Sequence, residues 1–127
     1  MTYVGWRRLH LGASWTVVVL AVIHSVLTPF IYGEWSPDAL WFLGTGLGLL
    51  VVGAANLAHI GIEPCRQPTA RMVRITNYVF AAFGLAAVLA VPEPHAMLIF
   101  GCLVLQAVAS HWTLPEASRE YGIHDGP

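Results

Sequence analysis

The chain has little charge and no lysine. Of 127 residues only 10% are charged, six of them arginine and seven acidic, while 57% are hydrophobic. Soluble globular chains average about 25% charged residues and roughly 45–50% apolar ones. So few charges cannot clothe a soluble surface, and so apolar a chain is not disordered. The net charge of −1 leaves no basic stripe for nucleic acid. The only two cysteines, Cys65 and Cys102, fall at different depths and make no disulfide framework. Also missing are a G-x-S-x-G elbow, a phosphate-binding glycine loop and a pair of carboxylates within an apolar run. The reading therefore leans away from an enzyme.

What is present is long apolar sequence. Crossing roughly 30 Å of hydrocarbon takes about 20 mostly apolar residues per helix. Four such runs occur, over residues 11–31, 39–60, 75–91 and 96–112, each without an acidic residue, lysine or arginine. They are continuous rather than alternating, which excludes a transmembrane barrel. The expected fold is all-α: one membrane domain over residues 1–127, an antiparallel bundle of four transmembrane helices with a polar tail at 113–127. The segment from Gly33 to Asp38 separates the first two spans, with Asp38 as the expected N-cap of the second. Pro64 and Pro68 bracket the next loop, and Pro92-Glu93-Pro94 makes a short turn before the fourth span.

With four crossings, Arg7, Arg8, Arg66, Arg71, Arg74 and Arg119 all fall on one side, opposite Glu34, Asp38 and Glu93. The positive-inside bias then predicts an N-in/C-in protein of a bacterial cytoplasmic (inner) membrane. Arg7-Arg8 before the first run reads as a retained signal-anchor, since the run exceeds a signal-peptide core and the Phe30–Trp35 stretch is a poor cleavage site.

Gly44 and Gly48 form a small-xxx-small pair on the second span. It packs the bundle or docks a second copy or a larger membrane complex. Polar groups inside the runs are few. His24 lies about 10 Å below the outer end of its span, with Ser25 and Thr28 beside it. Asn56, His59 and Gln106 lie toward the inner ends of spans two and four, with Asn77 near the same level on span three. Amides at matched depth bond one another across helices or line a polar site. His24, Ser25, Thr28, Asn56, His59 and Gln106 are thus the candidate ligand-binding residues.

The histidines raise two further possibilities. His59 and His111, with His10 at a similar level, lie near the inner ends of their spans, where two imidazoles can ligate a b-type haem. His59, Glu63 and Cys65, joined by His111 or Glu116, contain zinc-type donors but no tight ligand pair. The default expectation is no cofactor and no metal. Size and span number resemble those of small four-span proton-coupled drug exporters, yet span one lacks the acidic residue that coupling requires. The stretch Trp41–Leu47 with Asn56-Leu57 resembles small bacterial four-span proteins of unassigned function. The leading expectation is a non-enzymatic accessory or assembly subunit. The alternatives are a bundle that binds or transports a lipid or quinone, and a haem electron-transfer protein.

Overall fold

A computed structural model describes residues 2–61 and 67–113. They form four helices: α1 (Tyr3–Tyr32), α2 (Pro37–Gly61), α3 (Gln67–Ala90) and α4 (Pro94–Thr113). No strand occurs among the described residues. All four helices are long and apolar enough to cross a membrane.

The helices outrun the apolar segments. α1 begins at Tyr3, eight residues before the first apolar run, with the Thr2 hydroxyl accepting from the Gly5 amide at 3.3 Å. It continues through Pro29 and ends at Gly33, whose φ of 64° places it in the left-handed region that glycine tolerates. At the start of α2 the expected cap is displaced: Ser36, not Asp38, accepts from the Ala39 amide at 3.2 Å. Pro37 then occupies the first helical position and Asp38 lies in the first turn. Pro68 does not end the loop but sits in the first turn of α3, where its missing N–H costs nothing. Arg71 and Arg74 are consequently helical. Glu63, Pro64, Cys65, Arg66, Glu116, Arg119 and the tail beyond residue 113 lie outside the described residues.

α1 packs along α2 and α4, and α3 packs on α4, while α2 and α3 touch only lightly. Contacts run in opposite senses along each pair: Arg7 meets Ile60 and His24 meets Phe42, whereas Arg74 meets Ser110 and Gly84 faces Leu103. The core is Val17, Ala21, Leu49, Val52 and Leu103. Phe30, Leu89 and Trp41 are more than 70% exposed, as suits side chains that face lipid.

The close approach of α1 and α2 rests on Gly46 and Gly53, two turns apart. A Cβ at Gly46 would meet the Ser25 hydroxyl and come within 3.2 Å of the Ser25 nitrogen. At Gly53 it would come within 2.6 Å of Val18 Cγ2. The Gly44/Gly48 face plays no such part. A Cβ at Gly44 would meet nothing within 4 Å, and one at Gly48 would only touch Phe80.

Candidate functional site

Two polar regions occupy opposite ends of the helices. At the arginine-bearing end a layer of buried side chains ties all four helices together. The Asn56 amide donates to the Val52 carbonyl at 2.8 Å and to Asn77 Oδ1 at 2.7 Å, and Asn77 donates back to Asn56 Oδ1 at 2.9 Å. His10 Nε2 lies 2.7 Å from the same Asn56 oxygen, and its Nδ1 lies 2.6 Å from Thr113 Oγ1. Gln106 donates to Ser14 Oγ at 3.1 Å, and Ser14 donates to the His10 carbonyl. His10, Ser14, Asn56, Asn77 and Gln106 are all fully buried.

The geometry dictates the proton positions. A carbonyl only accepts, so Val52 must face the Asn56 nitrogen, which turns the Asn56 oxygen toward His10. His10 Nε2 must then carry a hydrogen. In the neutral ring Nδ1 accepts from Thr113, whose one proton is otherwise drawn to the Ala109 carbonyl at 2.9 Å. Two guanidinium groups flank the layer. Arg7 donates to the Ile60 carbonyl near the end of α2 at 3.3 Å, and Arg74 donates to the Ser110 carbonyl near the end of α4 at 3.4 Å. Both place positive charge where the helix dipole favours it.

The second region lies at the acidic end. A cavity of about 420 Å³ opens there among all four helices. Tyr32, Asp38 and His95 border its mouth, and Leu49 and Leu103 line its depth. Phe83 and Thr45 flank it toward the α2–α3 side. The His24 imidazole lines the wall, stacked on Phe42 with ring centroids 3.5 Å apart, and the Phe42 main chain also approaches the ring. His24 Nε2 is buried without a hydrogen-bond partner. A buried polar atom left unsatisfied carries a desolvation penalty of about 1–3 kcal/mol. Few native groups accept that cost without a role. His95 pairs at the mouth with Glu93, 3.2 Å away.

The six candidate ligand-binding residues separate. His24 alone lines the cavity. Ser25 Oγ is buried without a partner against Gly46, and Thr28 donates to the His24 carbonyl at 3.2 Å. Asn56 and Gln106 belong to the layer at the other end, through different partners. Gln106 Oε1 remains buried and unsatisfied there. His59 lies outside the layer, with Nδ1 donating to its own Ala55 carbonyl at 3.2 Å. His111 is exposed and hydrogen-bonded to the Tyr78 hydroxyl. No contact joins His59 to His111. Among the described residues no cluster of three or more His, Cys, Asp or Glu could hold a metal ion. The zinc-type set falls partly at Glu63, Cys65 and Glu116, outside the described residues.

His10 is the residue the apolar runs hid. It precedes the first run and reads as interfacial, yet α1 begins early and carries it inside. The signal was its spacing: His10, Ser14, Val17 and Ala21 form one buried stripe at helical intervals.

The chain matches no family model, no curated protein and no solved structure at a significant level.

Proposed function

We propose that this chain is an integral protein of a bacterial inner membrane whose four helices bind one amphiphilic small molecule, a lipid or a quinone, from within the bilayer. One observation carries the reading: His24 Nε2 is buried and unsatisfied in the wall of a largely apolar cavity of about 420 Å³. Small-molecule pockets fall in the range of about 300–1,000 Å³ and combine apolar walls with a few polar anchors. The polar layer at the opposite end supports the scaffold: apart from Gln106 Oε1, its groups bond other protein groups and hold the four helices in register.

All described arginines lie at the end of the layer, and Glu34, Asp38 and Glu93 at the end of the cavity. The positive-inside bias therefore puts both termini in the cytoplasm and the cavity mouth on the outer side. Reporter fusions at the C-terminus and at Glu93 test the orientation. The first should be active only with a cytoplasmic reporter, the second only with an exported one.

Native mass spectrometry of the full chain from mild detergent tests the binding. Wild type should carry a bound amphiphile, and His24→Ala should lose it. Loss of any bound species from wild type together with an identical His24→Ala spectrum refutes the reading. A second reading, an accessory subunit of a homo-oligomer or larger membrane complex, is favoured by the Gly44/Gly48 face, which helix packing leaves open. Repeated purification as a monomer without companions counts against it.

A further inference from the structure

The cavity at His24 adjoins a second space. A groove of about 460 Å³ runs between α2 and α3, over Gly44 and Gly48 and against Val79 and Phe80. Trp41, Thr45 and Phe83 border both spaces. The groove follows from the packing, because α2 and α3 touch lightly and the glycines leave α2 without side chains along that line. A compartment with one unsatisfied buried polar atom therefore lies beside an apolar groove on the α2–α3 face.

The charges around the cavity restrict what enters. Asp38 borders the mouth, and Glu34 and Glu93 lie at the same end. Arg7, Arg8, Arg71 and Arg74 belong to the opposite end, and the chain has no lysine. A phosphate head would enter past carboxylates with no arginine among the described residues at that end to receive it, and His95 there is already paired with Glu93, in a setting where an unpaired buried charge is strongly disfavoured. A neutral ring meets no such barrier. His24 already lies flat on Phe42, and Tyr32, Trp41 and Phe83 add aromatic surface to the same walls.

We propose that the ligand is an isoprenoid quinone. Its uncharged ring occupies the cavity, with a carbonyl oxygen accepting from His24 once the imidazole turns an N–H into that space. Its tail leaves between α2 and α3 along the Gly44–Gly48 groove into the bilayer. This rests on the ligand-binding reading and narrows it from amphiphiles in general to a neutral head with a tail.

The test uses the full chain in nanodiscs of zwitterionic lipid and equilibrium binding of two probes. One is decylubiquinone. The other is its tail-less counterpart, 2,3-dimethoxy-5-methyl-1,4-benzoquinone. Wild type should bind both, the decyl compound more tightly, and excess dioleoylphosphatidylglycerol should not displace either. His24→Leu should weaken both by about tenfold, the size of one buried hydrogen bond, and His24→Gln, which keeps a donor, should recover much of the loss. Gly44→Leu starts from a Cβ that meets nothing within 4 Å and extends into the groove, and should weaken the decyl compound while leaving the tail-less one unchanged. Displacement by phosphatidylglycerol, or binding of that lipid in place of either quinone, overturns the neutral head and leaves the ligand-binding reading intact. No binding of any of the three overturns both. If Gly44→Leu changes neither quinone but converts an oligomer to monomer, the groove is a contact between copies and the tail path is wrong.

Discussion

His10 Nε2 lies 2.7 Å from Asn56 Oδ1, and the main chain decides the proton between them. The Val52 carbonyl holds the Asn56 nitrogen, so the Asn56 oxygen must face His10 and the ring nitrogen must donate. A single backbone acceptor on α2 thus sets the tautomer of a side chain on α1. Nitrogen-15 chemical shifts of the labelled imidazole check this. Neutral His10 should show a protonated Nε2 and a bare Nδ1. A neutral ring protonated at Nδ1 contradicts the arrangement.

Asn56 is the joint of the layer, bonded to Val52, His10 and Asn77 at once. Asn56→Leu strands the His10 donor and the Asn77 amide in a dry interior. The expected loss is about 1–3 kcal/mol, more than the roughly 0.6 kcal/mol typical of one interhelical hydrogen bond in a membrane protein. Asn77→Leu costs less, because Asn56 keeps Val52 and His10. In the double variant part of the penalty disappears, since the second substitution removes a group the first had orphaned. Reversible unfolding in mixed detergent micelles measures all three. Simple additivity counts against a shared network.

Gly46 and Gly44 lie two residues apart on α2 and should respond in opposite ways. A methyl at Gly46 runs into Ser25, both hydroxyl and backbone, and one at Gly53 into Val18 and the Ser14 carbonyl. Gly46→Ala should therefore destabilise by about 1–3 kcal/mol, the usual cost of overpacking. Gly44→Ala should change stability little, because the added carbon meets nothing. Equal effects at the two sites would show that the α1–α2 contact has been assigned to the wrong face.

These glycines show what could be read from the sequence and what could not. Four long apolar runs specify four helices by length and composition alone, and the described structure has them. The ends were harder. Apolarity stops at Leu11, but a helix needs only satisfied backbone, and the Thr2 cap supplies that nine residues earlier. Asp38 and Ser36 are both good caps, and only the hydrogen bond to Ala39 distinguishes them. Counting residues puts Asn56 and Asn77 at one level, and they do meet. Gln106 was placed there too but bonds Ser14, because depth says nothing about which way a side chain faces. For the same reason spacing marked Gly44 and Gly48 as a pair, while the rotation of α2 turned Gly46 and Gly53 toward α1 instead.

Ser14 and Ser25 provide the last contrast. Both lie within α1 beside a close-packed glycine of α2, yet their hydroxyls are in opposite situations. Ser14 Oγ accepts from Gln106 and donates to the His10 carbonyl, whereas Ser25 Oγ is buried with no partner. Ser14→Ala removes an acceptor and leaves the Gln106 amide unsatisfied, which should cost about 1–3 kcal/mol. Ser25→Ala removes a buried atom already without a partner, so it should be neutral or stabilise by up to about 1 kcal/mol. His24→Leu should follow the same pattern, raising the stability of the ligand-free protein while it weakens binding. That combination is expected where a polar group is kept for a ligand at the expense of the fold. Thermal unfolding of the three variants with and without decylubiquinone tests it. If His24→Leu destabilises the ligand-free protein as Ser14→Ala does, then His24 serves the fold, and the cavity loses its polar anchor.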